Sequence, residues 1–202
     1  MEAIILAGGL GSRLRAVVPD LPKPMAPIHD RPFLEYLLDY WAGQGVSRFV
    51  LSVGYKREII EQHFGARHKG IEVDYAVENQ PRGTGGGLLL ALKRLHQSGA
   101  FLILNGDTFF EVDLALMRRY HQARHAEVTI ALREVDANSR YASVEIDKDG
   151  KITAFDNRVR TSGRALINGG VYLAEKSAFA DTLLESDEPV SIEDQLYPRM
   201  LA

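Results

Sequence analysis

The chain contains no cysteine. That absence removes disulfides, thiolate metal centres and thiol nucleophiles together. A surplus of either charge is also lacking: 24 Lys and Arg stand against 27 Asp and Glu, a formal net charge of −3. Such a surface draws in neither nucleic acid nor an anionic membrane, so any anion site must be local. No segment approaches the ~18 consecutive apolar residues of a membrane-spanning helix. The first residues, Met1-Glu2-Ala3-Ile4-Ile5-Leu6, form an apolar run too short for a secretory signal, so a cytoplasmic location is expected. Several catalytic signatures are missing too. There is no G-x-S-x-G elbow, no H-E-x-x-H, and no Walker A, because no Lys-Ser or Lys-Thr follows a glycine loop. The dinucleotide fingerprint G-x-G-x-x-G fails as well, since Gly9-x-Gly11 leads to Leu14 where the third glycine belongs.

What is present fits a soluble globular chain with a sizeable core: 46% hydrophobic and 25% charged residues over 202 positions. Residues 2–7, 47–53, 71–77 and 101–104 read as strands, and 33–42, 56–64, 86–97 and 113–125 as helices. This alternation predicts an α/β fold, a Rossmann-like and mostly parallel sheet with helices on both faces. The pattern then changes. Residues 142–146 and 151–155 flank the hairpin signal DKDG, and 166–173 form another apolar segment. A small β extension over roughly 135–175, in the C-terminal half, is expected, with helices after it. Trp41 belongs to a core stripe, while His121 and His125 read as a solvated helix face.

Two loops draw the eye toward chemistry. In "LAGGLGSRLRAVVPDLPKP", Gly8, Gly9 and Gly11 loosen the backbone after the first strand, and Arg13, Arg15 and Lys23 follow. Backbone amides there can cradle phosphate oxygens. The second loop, "NGDT" at 105–108, follows the strand at 101–104. Ligands of such sheets bind at the carboxyl ends of strands, which puts both loops at one edge.

Ala7-Gly8-Gly9-x-Gly11-Ser12-Arg13-Leu14 followed by Pro22-Lys23-Pro24 resembles the sugar-1-phosphate nucleotidyltransferases, and the resemblance continues through "NGGVYL" near residue 170. The stretch "GSRLRAVVPDLPKPMAPI" is most similar to the branch that guanylylates D-glycero-D-manno-heptose 1-phosphate, with Arg15 where many members have proline. The resemblance implies one domain over 1–202. About 1–130 would bind the nucleotide and about 131–202 the sugar phosphate. It implies a nucleotide site of Leu6, Ala7, Gly8, Gly9, Gly11, Ser12, Glu78, Gly83 and Thr84. Arg13, Lys23 and Asp107 would be catalytic, and Asp107 would hold Mg²⁺. Asn168, Gly169, Arg158 and Glu193 would bind the sugar phosphate.

The chemistry explains such a set. A sugar phosphate dianion must attack the α-phosphorus of a polyanionic triphosphate. Even one pair of unit charges held at 4 Å costs about 4 kcal/mol at an effective dielectric near 20. Cations must therefore neutralise and align both partners. A Glu78 carboxylate can accept both the N1 and N2 protons of guanine, which favours GTP. Members using other bases also carry Glu here, so a uridylyl or other transfer to mannose or N-acetylmuramate 1-phosphate stays open. Two departures stand out. Arg158 occupies the neighbourhood where many members use Lys to grip the sugar phosphate. The later Asp-x-Gly motif that supplies a second metal ligand is missing, as if the family's C-terminal end were lacking. A non-catalytic nucleotide-sugar sensor is the alternative that this second departure raises.

Overall fold

A computed structural model describes residues 1–9, 20–136, 143–156, 163–180 and 189–201. Along the chain, β1 (Glu2–Leu6) leads to a 3-10 turn (Lys23–Met25) and a short hairpin, β2 (Pro27–Ile28) and β3 (Arg31–Pro32), then into α1 (Phe33–Gly43). Next come β4 (Arg48–Val53), α2 (Arg57–Phe64), β5 (Arg67–His68), β6 (Ile71–Val77), α3 (Gly83–Leu92), β7 (Ala100–Asn105) and α4 (Leu114–Ala123). After them lie β8 (Val128–Asp136), β9 (Ser143–Ile146), β10 (Ile152–Asp156) and β11 (Arg164–Glu175). A 3-10 turn (Lys176–Phe179), a π-helical turn (Ile192–Leu196) and α5 (Tyr197–Leu201) complete the described elements.

One sheet organises the molecule, in the order β10-β9-β11-β7-β1-β4-β6-β5, with β8 also paired to β11. The pairs β1–β4, β1–β7 and β4–β6 are parallel. The chain reverses its direction of travel across the sheet between β1 and β7, and that switch point opens a crevice at their carboxyl ends. Both faces are apolar, as a parallel sheet covered on two sides requires. Ala3, Ile5, Phe49, Leu51, Leu102 and Leu104 pack on one face with Leu34, Leu38 and Trp41 of α1, Ile60 of α2 and Met117 of α4. Ile4, Val50, Phe101 and Ile103 pack on the other with Leu88 and Leu92 of α3 and with Ile192, Leu196 and Tyr197. The expected sheet with helices on both faces is therefore present, and no helix among the described residues is long and apolar enough to cross a membrane.

At the opposite edge, the amino ends of the strands are tied by a buried cation. Arg48 on β4, 6% exposed, reaches Glu2 Oε1 and Glu72 Oε1 at 2.7 Å each and Asp74 Oδ2 at 2.9 Å. A buried charge persists only when so paired. Burial alone would raise the Glu2 carboxyl, but the Gln97 and His96 amides and Arg48 outweigh it and hold the group below its ordinary range.

Three sequence expectations are corrected. The helix expected at 86–97 runs over Gly83–Leu92, so the run Gly85-Gly86-Gly87 lies inside it. The β extension begins at Val128 rather than near 135, because β8 pairs with β11 along most of its length. His121 is buried, not solvated: its Nδ1 lies 2.8 Å from Thr129 Oγ1, and its Nε2 lies 3.4 Å from Glu175. The DKDG hairpin is as expected, with β9 antiparallel to β10 and Gly150 at φ +80°.

Candidate active site

The crevice is built where β1 and β7 end side by side. Gly106 donates its N–H to Leu6 O at 3.0 Å, and Ala7 donates to Ser52 O at 2.8 Å. A Cβ on Gly106 would stand 2.7 Å from Leu6 O, so only glycine lets the two strand ends approach this closely. The loops carrying Gly8 and Asp107 thereby share one edge.

Lys23 reaches this edge from a turn framed by Pro22 and Pro24. Both prolines limit the backbone, Met25 N–H closes the turn on Pro22 O at 2.8 Å, and the Met25 side chain is buried in the core. So placed, the Lys23 ammonium is paired with Asp107 Oδ2 across 84 residues of sequence. Each side chain is 39% exposed. A pair this open contributes little to stability. Its interest is chemical: a cation suited to phosphate and a carboxylate suited to a hard metal ion stand together, each satisfying the other.

Glu78 follows β6 and turns inward. Its Oε1 accepts from the Ser52 hydroxyl at 3.1 Å and its Oε2 from Arg82 N–H at 3.0 Å. A Cβ on either Gly8 or Gly87 would come within 2.6 Å of Oε1. Those two glycines therefore make room for the carboxylate, which explains why α3 tolerates a glycine run that propensity opposes. Gly8 and Glu78 are in direct proximity.

The other predicted members of the nucleotide loop take a different direction. Gly83 has φ +71°, and a Cβ there would lie 2.5 Å from Val190 O. The Thr84 hydroxyl oxygen accepts the Ile192 N–H at 3.0 Å. Both residues thus contact the segment that carries Glu193.

That segment meets β11 in a polar group. Glu193 Oε1 accepts from Asn168 Nδ2 at 2.9 Å and from the Tyr172 hydroxyl at 3.0 Å, while Asn168 Nδ2 also donates to the Tyr172 oxygen at 2.5 Å. Asn168 Oδ1 accepts Gly170 N–H at 2.9 Å, which fixes the local turn. Burial and the neighbouring Glu193 push the Tyr172 phenol far above its usual range, so it remains a neutral donor. Gly169 packs where a Cβ would strike the Phe110 ring at 2.2 Å. Asn168 and Glu193 are therefore together, with Gly169 next to Asn168.

Gly11, Ser12, Arg13 and Arg158 lie outside the described residues. Leu6, Ala7 and Gly9 line the end of β1, with Gly9 exposed. Sequence reasoning missed Ser52 and Tyr172. A lone hydroxyl in the apolar run of β4 was a signal for the first; the second is hidden inside "NGGVYL". A further trio, Glu35, Asp39 and His68, brings three potential metal-ligand atoms within 4.8 Å of one another. Arg31 and Lys69 already bind Asp39 at 2.5 and 2.6 Å, so the trio is part of an ion-pair network.

Known proteins share this architecture. The D-glycero-alpha-D-manno-heptose 1-phosphate guanylyltransferase of Aneurinibacillus thermoaerophilus is 46% identical over 179 residues, which cover 89% of this chain and 76% of that one. The enzyme of the same name from Campylobacter jejuni is 39% identical over 97% of this chain and 85% of its own. The crystal structure of HddC from Yersinia pseudotuberculosis complexed with GMP-PN superposes with a TM-score of 0.82 at 36% identity, covering 98% of this chain and 85% of that one. The model of the family described as "Nucleotidyl transferase" matches residues 2–199. By fold and by these likenesses, the chain belongs to the nucleotidyl transferase family.

Proposed function

We propose that the protein transfers a guanylyl group from GTP to D-glycero-α-D-manno-heptose 1-phosphate. A phosphate oxygen of the sugar attacks the α-phosphorus of GTP, the bond from that phosphorus to the bridging oxygen breaks, and pyrophosphate leaves with the electron pair. The observation that carries this reading is the meeting of Lys23 and Asp107 at the β1–β7 crevice, beside the glycine loop. Relatives of that name, matched over 89% and 97% of the chain, support the choice of nucleotide and sugar.

The candidate residues divide the work in this scheme. Gly8 and Gly9 offer amides to the phosphates. Lys23 leaves Asp107 to sit between the two phosphate groups, lowering their repulsion and aligning them for in-line attack. Arg13, by its place in the motif, would hold the departing pyrophosphate. Arg158 would grip the sugar phosphate, and Asn168, Gly169 and Glu193 its ring. Glu78, fixed by Ser52, uses two of about four carboxylate lone-pair sites on protein donors and retains the others for the guanine edge.

Asp107 fits a divalent cation, Mg²⁺ in this reading. It is a half-exposed oxygen donor beside the phosphate site, the donor type that hard cations prefer. Bound there, Mg²⁺ would supply charge stabilisation at the α-phosphoryl group.

Pyrophosphate release with Mg²⁺ tests the proposal, crossing GTP, UTP, CTP, ATP and dTTP with a panel of sugar 1-phosphates. GTP with the heptose 1-phosphate is expected to turn over best. A better pair would displace the substrate assignment. Silence from folded, nucleotide-binding protein would refute the activity and favour a sensor.

A further inference from the structure

The turn that presents Glu193 is only partly held by its own bonds. Ser191 caps it, accepting Asp194 N–H at 3.1 Å, and Ser191 N–H donates to Gln195 Oε1 at 2.7 Å. Three further ties run to the start of α3, more than a hundred residues earlier in sequence. Val190 donates its N–H to Arg82 O at 2.8 Å, Gly85 donates to Val190 O at 2.7 Å, and Ile192 donates to Thr84 Oγ1 at 3.0 Å. The first two are backbone bonds, which fasten the segment whatever the side chains are. The third depends on one hydroxyl.

Ile192 is 1% exposed, so water cannot replace a lost partner for its N–H. Its amide lies one residue before Glu193, whose carboxylate must meet Asn168 and Tyr172 on β11. Thr84 itself stands on the helix entered from the loop that Glu78 begins. One side-chain oxygen therefore links the nucleotide loop to the carboxylate opposite.

We infer that Thr84 is a positioning residue for the sugar phosphate: by accepting the Ile192 N–H it sets where Glu193 stands, and it joins the two substrate pockets mechanically. This rests on the reading of Glu193 as a sugar ligand. On that view Thr84 governs affinity for the sugar while belonging, by sequence position, to the nucleotide side.

Steady-state kinetics of wild type, T84S, T84V, E193Q and T84V/E193Q, with GTP and the heptose 1-phosphate, separate the possibilities. T84V keeps the shape and removes the acceptor. It should raise KM for the sugar phosphate roughly 5- to 30-fold while KM for GTP stays within about twofold, the scale expected for an unpaired buried amide. T84S should return the sugar KM to within about threefold of wild type. With Glu193 already replaced, T84V should add less than about twofold, because the carboxylate through which it acts is gone. A GTP KM that rises as far as the sugar KM would make Thr84 a nucleotide contact and overturn the inference, as would full additivity with E193Q. An unchanged sugar KM in E193Q overturns the assignment of Glu193 itself, whereas a defective E193Q beside a normal T84V overturns the coupling alone. Hydrogen exchange at the Ile192 amide gives a readout independent of turnover. It should be faster in T84V and restored in T84S; unchanged exchange would show that the contact does not hold the segment.

Discussion

Replacing Gly83 with alanine puts the clasp between the start of α3 and the 189–192 segment under direct load. The position has φ +71°, where an L-residue pays about 1–2 kcal/mol for the left-handed conformation. The new Cβ would also sit 2.5 Å from Val190 O and 3.0 Å from its C and N, all backbone atoms with no rotamer to change. Relief requires the 189–192 segment to move away, weakening the Gly85–Val190 and Val190–Arg82 hydrogen bonds, each worth about 1 kcal/mol net. Reduced freedom of the unfolded chain returns about 0.4–1 kcal/mol. A net loss of about 2–3 kcal/mol results, or roughly 5–10 °C in melting temperature for a chain of this size. Gly43→Ala is the control: it lies at the end of α1 with nothing within 4 Å of the added Cβ, and should gain up to about 1 kcal/mol. Thermal melts with heptose 1-phosphate kinetics check both. A Gly83→Ala protein that melts with wild type and binds the sugar normally would refute the clasp.

Lys23→Ala should lower turnover by about two or more orders of magnitude, the scale of a lost charge-stabilising group, while shifting the melt little because the Lys23–Asp107 pair is exposed; pyrophosphate release and a melt on one preparation check this, and near-normal turnover would remove Lys23 from the mechanism. Glu78→Gln should erode the preference for GTP over UTP and ATP more than it slows the best reaction. Ser52→Ala, which frees one carboxylate oxygen, should do the same more mildly, and unchanged base preference in both would sink the guanine argument. Acid stability carries a sign: Lys69, His68 and Arg31 outweigh burial to hold the Asp39 carboxyl well below its ordinary 3.8, so its contribution is complete above that value and is lost as pH falls toward the folded value. Melting temperature against pH should drop on the acid side, and Asp39→Asn should flatten that limb; an identical acid limb in the variant would place the pH dependence elsewhere.

The sequence made the sheet legible because strands buried on both faces are short apolar runs, and β1, β4 and β7 each announce themselves in that way. It made the glycine loop legible through spacing. It did not show α3 beginning at Gly83, because three successive glycines oppose a helix until Glu78 and Val190 are seen to need the room. The start of β8 was missed although Val128, Ile130 and Leu132 alternate with Thr129, Ala131 and Arg133, a strand signal overlooked beside the end of α4. Thr84 was read as a nucleotide residue since nothing local reveals an acceptor for an amide more than a hundred residues away. Ser52 and Tyr172 likewise act through partners on other elements, 26 and 21 residues away.

β11 has a bearing on how new sugar specificities could be engineered into this scaffold. Val171–Glu175 of that strand close the edge of β7, and Arg164–Asn168 pair with β8; the register shifts between Asn168 and Tyr172. Asn168 and Gly169, proposed to face the sugar, thus sit at an irregularity inside a strand that also pairs with β7. A chimera joined near residue 130 would import a foreign neighbour for β7 along with its foreign pocket, and would be judged on packing before it was judged on substrate. Exchanges confined to Asn168 and to residues 189–193 leave both ladders with their present partners, whereas Gly169 and Gly170 must stay: a Cβ on Gly169 would stand 2.2 Å from the Phe110 ring and 2.9 Å from Ala131 O on β8, and Gly170 has φ +73°.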